Sequence, residues 1–339
     1  MQDPLDHSLS PTASTVTEGR TFGSLVAAHV AIARFDHWVK NVFVLPGIVL
    51  GLTVESFPGW PETLARSLVG LLAAGLVASS NYVLNEVLDA PYDKGHPTKR
   101  FRPVPSGKVL IPLAYVQWIL LMLAGVGLGA RLSLTLAGML VALWVMGIVY
   151  NVRPIRSKEL PYIDVMSEAV NNPLRLLIGW YVLPHLAPPP ISLLASYWMV
   201  GCYFMAIKRY AEYREIGNRA VSSAYRSSFS YYNEPRLLVS IMFYAAAAML
   251  MFGAFIVRYR LEWILSAPLV SLVMALYLQL AFQENSAAQN PESLYKQPKL
   301  IAVAGLCAVV MVIFLFVDVP WLRDFFAPLE FSLQPMGLP

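Results

Sequence analysis

The sequence predicts an all-α integral membrane protein with nine transmembrane helices. Composition is the first reason: 57% of the 339 residues are hydrophobic and 14% are charged, against about 25% charged residues in an average soluble domain. The second reason is a series of apolar runs close to the roughly 20 residues that a helix needs to cross a bilayer. The third is that Lys and Arg collect on one side of those runs.

The nine apolar runs follow one another along the chain and are separated by polar segments. Several contain single polar residues, so their bounds are defined to within a few residues. The runs cover residues 41–56, 65–88, 109–128, 132–150, 162–184, 190–209, 237–257, 263–283 and 300–318.

The distribution of basic residues predicts the orientation of these helices. With the N-terminus inside, 19 of the 25 Lys and Arg residues fall in cytoplasmic segments and five fall outside. Arg175 remains, within the fifth run. Cytoplasmic loops of membrane proteins carry the excess of Lys and Arg. We therefore expect a multi-pass protein of the cell inner (plasma) membrane with a cytoplasmic N-terminus.

The domain organisation is simple. Residues 1–22 are polar and rich in Ser, Thr and Pro, without a signal-peptide core, and are expected to form a disordered cytoplasmic tail. Residues 23–320 are predicted to be one transmembrane domain, followed by a C-terminal tail at 321–339. Cys202 and Cys307 both fall inside predicted spans, which does not indicate a disulfide or a metal site.

Acidic side chains mark the cytoplasmic ends of two predicted helices. Asn85, Asp89 and Asp93 are spaced i, i+4 and i+8 in the second run, so a helix places them on one ridge. Pro91 is expected to kink or end that helix. Asp164 and Glu168 form a similar i, i+4 pair where the fifth run begins. Two helices are therefore predicted to present acids to the same side of the membrane.

Carboxylates at membrane depth are costly and normally face a polar cavity or a cation. Carboxylate oxygens suit Mg²⁺, which proteins typically hold with one or two carboxylates plus substrate phosphates. Nearby Lys and Arg could then hold the rest of a phosphorylated substrate. The pattern predicts a diphosphate site, although any one of these cations could instead serve only as a topology signal.

At these residues the chain resembles the UbiA superfamily of intramembrane prenyltransferases, whose nine helices surround a central cavity. Asn85, Asp89 and Asp93 match its N-D-x-x-D-x-x-x-D motif, with Glu86 where the family usually has Asp. Asp164 and Glu168 stand where the second Asp-rich motif belongs, with Glu in place of its final Asp. The resemblance implies an enzyme that uses Mg²⁺ and releases diphosphate.

A narrower resemblance is carried by "FDHWVKN" at 35–41, "HPTKRFRP" at 96–103 and "KRYAE" at 208–212. These segments look like the branch that contains decaprenyl-phosphate phosphoribosyltransferase. The resemblance implies phosphoribosyl transfer from phosphoribosyl diphosphate to a polyprenyl phosphate. In that hypothesis Mg²⁺ is held by Asp89, Asp93, Asp164 and Glu168, and Asn85 orients a metal ligand or a phosphate oxygen. The substrate phosphates are bound by Lys40, Lys99, Arg100, Arg102, Arg175, Lys208 and Arg209.

Other functions stay open at the level of sequence. The main alternative is prenyl transfer from a polyprenyl diphosphate to an aromatic or other lipid-pathway acceptor. A membrane transporter would show paired Gly- or Pro-broken spans in matching halves, and the sequence indicates none. A membrane scaffold leaves the acid pairs unexplained. The expected partners are an isoprenoid lipid, a phosphorylated or aromatic co-substrate and the lipid bilayer, but no nucleic acid. Assembly into a homo-oligomer is left open.

Overall fold

The computed structural model describes residues 21–54, 58–94, 99–184, 187–217, 226–283, 286–289 and 291–326. No β-strand occurs in these ranges. The α-helices are α1 Phe22–Ile32, α2 Leu45–Gly51, α3 Trp60–Asp93, α4 Ile111–Leu132, α5 Leu134–Asn151, α6 Ile163–Ala169, α7 Asn171–Val182, α8 Ile191–Ile216, α9 Glu234–Tyr259, α10 Ala267–Leu280, α11 Pro298–Phe316 and α12 Pro320–Phe325. Short 3-10 helices link several of them.

Seven of the predicted spans correspond to helices that are long and apolar enough to cross a membrane. They are α3, α4, α5, α8, α9, the segment Leu261–Leu280 that includes α10, and α11. The all-helical membrane fold is therefore confirmed. The total of nine spans stays a prediction, because the first and fifth predicted spans are each built from shorter pieces.

Proline explains both interruptions. The first predicted span, residues 41–56, contains the end of a 3-10 helix at Phe35–Val44, called here the N-terminal 3-10 segment, and then α2 with Pro46 in its first turn. The fifth is divided between α6 and α7, because Pro173 has no N–H to donate to the carbonyl of Ala169. The sequence indicated no paired Gly- or Pro-broken spans in matching halves, and the structure adds that two single spans are broken. The two broken spans also pack against each other through α2 and α7.

Proline also marks where helices begin. A proline in the first two positions costs little, because the N–H it lacks has no partner inside the helix. Pro91 is different, since it lies inside α3 and the helix continues through it to Asp93. The first-turn prolines are Pro46, Pro61, Pro112, Pro235, Pro268, Pro298 and Pro320.

Helix α3 is the centre of the bundle. In its most apolar stretch 61% of the residues are buried, against 11% in α4 and in α11. It packs on α4 and α5, while α8 packs on α9 and α5 packs on α7. The apolar surfaces of α4 and α11 therefore face outward, as expected for helices in contact with lipid.

The two predicted tails lie mostly outside the described residues. Of the N-terminal tail, the structure describes Thr21 and Phe22, where α1 already begins. Of the C-terminal tail, it describes residues 321–326, which belong mostly to α12.

Helices α3, α5 and α8 all finish at one end of the bundle, where α6 begins. We call this the acid end, because Asp89, Asp93 and Asp164 lie there. The other end of the bundle carries the junctions between α4 and α5 and between α9 and the segment that follows it.

Candidate active site

The first acid pair lies in the last turns of α3, and each carboxylate contacts a cation. Asp93 is 3% exposed and accepts a hydrogen bond from Arg102 Nη1 at 2.7 Å. Asp89 contacts Lys158 Nζ, which also donates to Asn151 Oδ1 at 2.8 Å. Arg156 Nη2 lies 3.5 Å from the same Asp89 oxygen. Two loops, one after α3 and one after α5, therefore converge on the ridge that the sequence predicted.

The loop after α3 is anchored through Glu86. This side chain is 3% exposed, and its carboxylate accepts a hydrogen bond from the Val104 N–H at 3.2 Å. The anchor holds Arg102 against Asp93. Arg100, by contrast, is exposed and lies over the ring of Phe101 with its Cζ 4.7 Å from the centroid.

The second acid group is centred on Asp164 at the start of α6, and this carboxylate is fully buried. Tyr232 Oη donates to it at 2.6 Å and Arg209 Nε at 3.0 Å. Arg226 Nη1 lies 3.5 Å away and Ser228 Oγ lies 3.4 Å away. A single buried carboxylate therefore gathers donors from α8 and from the segment that precedes α9.

Arg209 ties the second acid pair together. Its guanidinium also donates to Glu168 at 3.2 Å, to Glu212 at 2.8 Å and to Tyr150 at 3.1 Å. Tyr150 Oη in turn donates to Glu168 at 2.7 Å.

The two acid groups are joined through Tyr150 and Lys158. Lys158 Nζ lies 5.9 Å from the centroid of the Tyr150 ring while it contacts Asp89. Burial lowers the pKa of the Lys158 ammonium below its usual value, against the contact with Asp89, which raises it. The side chains from α3, α5, α6 and α8 therefore form one continuous polar network.

A third side of this network comes from the N-terminal 3-10 segment. His37 and Lys40 lie one 3-10 turn apart, with 3.3 Å between Lys40 Nζ and His37 Nδ1, and both contact Tyr82 on α3. Burial, together with the charges of Lys40, Arg34, Lys208 and Arg102, lowers the pKa of His37 to about 3. The imidazole is therefore neutral at physiological pH, and cations from several parts of the chain act on it.

The structure brings most of the predicted site residues together. Asp89, Asp93, Asp164, Glu168, Arg102 and Arg209 all take part in the ion pairs described above. The charges of Lys99 and Lys208 act on Glu212. Asn85 lies on the α3 ridge and is half-buried. Arg100 points away from the acids, and Arg175 lies apart from them on α7.

Several residues of the network were missed by the sequence analysis. Arg156 and Lys158 were counted only as topology signals, and Tyr150, Arg226 and Tyr232 were not singled out. The stretch "YNVRPIRSK" did carry a signal, because it places a tyrosine and three cations directly after an apolar run on the side of the acids. Arg226 and Tyr232 had no such signal, since their contact with Asp164 spans more than 60 residues of sequence.

The donor set fits Mg²⁺. The two acid pairs supply only carboxylate oxygens, which are the ligands that hard cations prefer. Among the described residues no group of three or more His, Cys, Asp or Glu side chains is close enough to hold a metal alone. This agrees with the usual binding of Mg²⁺, in which phosphate oxygens and waters complete the coordination.

The family comparison matches most of the chain. The model of the UbiA prenyltransferase family matches residues 42–301. Decaprenyl-phosphate phosphoribosyltransferase of Mycobacterium tuberculosis is 26% identical over 302 residues, which is 85% of this chain and 94% of that protein. Digeranylgeranylglyceryl phosphate synthase of Saccharolobus solfataricus is 31% identical over 110 residues, which is 32% of this chain and 37% of that protein.

A solved structure shows the same fold. A UbiA homolog from Archaeoglobus fulgidus bound to DMAPP and Mg²⁺ superposes with a TM-score of 0.65 at 16% sequence identity. The match covers 85% of this chain and 99% of that one. At this identity the likeness concerns the arrangement of the helices.

Proposed function

The chain belongs to the UbiA prenyltransferase family, and from this premise we propose that it transfers phosphoribosyl from phosphoribosyl diphosphate to a polyprenyl phosphate. The broader statement does not depend on the proposal: the protein is a multi-span membrane protein and a UbiA-family transferase. The specific donor and acceptor are the proposal.

The observation that carries the proposal is the surplus of positive charge at the acid end. A phosphoribosyl donor and a lipid phosphate together bring more negative charge than a prenyl diphosphate and a phenolic acid. The carboxylates of the network are Glu86, Asp89, Asp93, Glu159, Asp164, Glu168 and Glu212. They are outnumbered by the cations that act on them or on one another, Arg34, Lys40, Lys99, Arg102, Arg156, Lys158, Lys208, Arg209 and Arg226. The similarity to the mycobacterial phosphoribosyltransferase over 85% of the chain supports the same substrates.

The reaction follows from these charges. The bond between ribose C1 and the diphosphate oxygen breaks, and its electron pair leaves with diphosphate. An oxygen of the lipid phosphate forms the new bond to C1, which carries oxocarbenium character in the transition state. Arg102, Lys158 and Arg209 are placed to stabilise the charge that develops on the leaving diphosphate, and such fixed cations act strongly in a site that excludes water.

Magnesium would be held by Asp89, Asp93, Asp164 and Glu168 and would neutralise charge on the diphosphate. Asn85 lies on the same ridge as the first two acids and would orient a metal ligand or a phosphate oxygen. Binding of the donor would draw the carboxylates away from their present cation partners, and those cations would then contact phosphate oxygens.

The nucleophile in this reaction is already an anion, so no general base is required. Prenylation of an aromatic ring would also require a ring proton to leave, and would therefore need a group that accepts this proton.

Prenyl transfer remains the alternative function. The partial match to digeranylgeranylglyceryl phosphate synthase favours it. Both reactions require a stabilised diphosphate leaving group and a dry cavity. For either reaction we propose that the acid end faces the cytoplasm of the plasma membrane, as the Lys and Arg distribution indicates.

Parallel assays with two substrate pairs test the proposal. Purified protein in detergent or vesicles, with Mg²⁺, is offered labelled phosphoribosyl diphosphate with polyprenyl phosphate. In parallel it is offered a labelled polyprenyl diphosphate with an aromatic acid or a glycerophosphate lipid. We expect a lipid-soluble product from the first pair. A product from the second pair alone would replace this proposal with prenyl transfer.

A further inference from the structure

One cation in the bundle interior stands apart from the network at the acid end. Arg175 on α7 is 8% exposed, and its buried Nε has no hydrogen-bond partner in the described part of the chain. It also forms no ion pair with any described carboxylate, unlike Arg209, which binds three. A lone guanidinium inside a membrane protein is costly, and such residues normally mark a path or a binding site.

Two further polar atoms near this depth are also without partners. Asn171 lies one helical turn before Arg175 on the same face of α7, and its Oδ1 is buried without a hydrogen bond among the described residues. Asn81 lies on α3, one turn before Asn85, and its Oδ1 is likewise buried without a hydrogen bond among the described residues. With a rise of about 1.5 Å per residue, Asn81 lies about 12 Å further into the bundle than Asp89. Each acid-bearing stretch therefore continues inward to a buried amide oxygen without a hydrogen bond among the described residues, although Asn81 Nδ2 itself donates to the Leu143 carbonyl at 2.9 Å.

The N-terminal 3-10 segment connects Arg175 to the network. A 3-10 helix has three residues per turn, so His37, Lys40 and Phe43 lie on one face. Phe43 contacts the ring of Tyr197 at 6.1 Å and accepts a hydrogen bond from its hydroxyl at 3.2 Å. The charge of Arg175 acts on that same tyrosine. One face of the segment therefore leads from the cations of the acid end to Arg175.

Close packing fixes the position of α7 beside this segment. A Cβ at Gly47 would collide with the carbonyl of Leu176, and a Cβ at Gly179 would collide with the carbonyl of Val44. These collisions mean that backbone touches backbone at two points of α7 that follow Arg175, at Leu176 and at Gly179. Binding groups that are held rigidly lose little entropy when a ligand binds.

We propose that Arg175 and Asn171 form a second anion-binding subsite, which holds the phosphate head group of the lipid acceptor. The proposal rests on the proposed function, in which that acceptor is a polyprenyl phosphate. A guanidinium can donate two parallel hydrogen bonds to phosphate oxygens, and Asn171 Nδ2 would be a further donor, whereas Asn171 Oδ1 is an acceptor and would not contact the phosphate. The donor diphosphate occupies the acid end, and the lipid phosphate lies deeper, where its prenyl chain continues into apolar surroundings. Arg175 is then a determinant of acceptor specificity.

Two variants test the subsite, Arg175→Met, which keeps most of the volume, and Arg175→Lys, which keeps the charge. In the wild type, a polyprenyl monophosphate should raise the unfolding temperature, and the matching uncharged polyprenol should not. We expect Arg175→Met to lose this stabilisation and to raise the KM for the lipid phosphate by about 10- to 100-fold. The KM for phosphoribosyl diphosphate should change less than about threefold. Arg175→Lys should fall between the two.

Stability without ligand separates binding from a structural role. Because Arg175 has no hydrogen-bond or ion-pair partner among the described residues, the unfolding temperature of unliganded Arg175→Met should equal or exceed that of the wild type. Arg131→Gln, at the far end of α4, is the matched control and should retain the full response to the lipid phosphate. A lower unfolding temperature, an unchanged KM for the lipid phosphate, or an equal rise in both KM values would overturn the subsite.

A further measurement distinguishes a failure of this inference from a failure of the proposed function. The same thermal measurement with an aromatic carboxylate, 4-hydroxybenzoate, should show no stabilisation that depends on Arg175. If the carboxylate and not the lipid phosphate gives that stabilisation, the assignment to lipid phosphate is overturned and prenyl transfer to an aromatic acid replaces the proposed function. If neither ligand gives it while phosphoribosyl transfer proceeds, the subsite alone fails.

Discussion

The two ends of the bundle each hold a network of arginines and buried acids, and they differ in what the arginines bind. At the far end, Glu262 is 1% exposed and lies 3.3 Å from Arg323 and 3.4 Å from Arg260. Arg260 also donates to Asp318 at 2.7 Å and to the carbonyls of Phe314 and Val317. Two arginines thus contact two acids, and backbone carbonyls accept the remaining hydrogen bonds of Arg260.

At the acid end the partners are side chains. Every hydrogen bond that Arg209 donates through its guanidinium goes to a carboxylate or to a tyrosine hydroxyl, and Lys158 binds an aspartate and an asparagine. Backbone partners are fixed once the chain folds, whereas side-chain partners can be exchanged for a ligand. We therefore interpret the far network as a clamp between the segment after α9 and α12. We interpret the network at the acid end as a binding site whose carboxylates are paired with side-chain cations that a ligand can take over.

The largest effect on turnover is expected when one acid is replaced at each end of the bundle. Asp93→Asn or Asp89→Asn should lower turnover by about 100-fold or more, because each removes a carboxylate expected to bind Mg²⁺. Glu262→Gln should leave activity within about twofold at low temperature and lower the unfolding temperature instead. Specific activity and thermal unfolding of the three purified variants would measure this. The comparison breaks if Glu262→Gln loses activity as severely as the aspartate variants.

A smaller effect is expected from two neighbouring arginines. Arg102→Gln removes the partner of Asp93 and a contact proposed for the substrate, so we expect a loss of about 10- to 150-fold in kcat/KM for phosphoribosyl diphosphate, from about 1.5–3 kcal/mol for a charge-assisted hydrogen bond. Arg100→Gln removes an exposed cation that stacks on Phe101, and the loss should stay below about twofold. Both variants keep enough basic residues to preserve topology. Equal losses of kcat/KM in the two variants would show that the contact between Arg102 and Asp93 does not determine activity.

The smallest effect on activity is expected at His37, where the change concerns the pH dependence of stability. Its pKa is lowered to about 3 from an ordinary value of 6.5, so between these values the unfolded chain binds a proton that the folded chain does not. The stability linked to His37 is therefore fully present above about pH 6.5 and is lost as the pH falls toward 3. His37→Gln should flatten the dependence of the unfolding temperature on pH in that window. A variant as steep as the wild type would show that other groups cause the dependence.

Local features of this protein were predictable from the sequence, and long-range pairings were not. The acid ridge of Asp89 and Asp93 follows from helical spacing, and seven of the helices follow from apolar runs. The partners of those acids do not follow, because Lys158 meets Asp89 across 69 residues of sequence and no local pattern encodes such a contact. Arg100 and Arg102 look equivalent in the sequence, and only the anchor from Glu86 to Val104 decides which one faces Asp93.

The breaks in the first and fifth spans show a second limit. Pro46 and Pro173 were visible, but the apolar residues around them satisfied the criterion for a continuous helix. Hydropathy measures whether a segment can lie in the membrane. It does not measure whether the backbone hydrogen bonds run without interruption, which is what proline changes.

The central proposal is that the network at the acid end stabilises a diphosphate leaving group while the phosphoribosyl group is transferred to a lipid phosphate. The most direct test is a double-label experiment with phosphoribosyl diphosphate that carries ¹⁴C in the ribose and ³²P in the diphosphate. With polyprenyl phosphate and Mg²⁺, we predict that ¹⁴C enters the lipid fraction and an equal amount of ³²P appears in water as free diphosphate, and that Asp93→Asn abolishes both. Label from ³²P in the lipid, or no ¹⁴C in the lipid, would contradict the account.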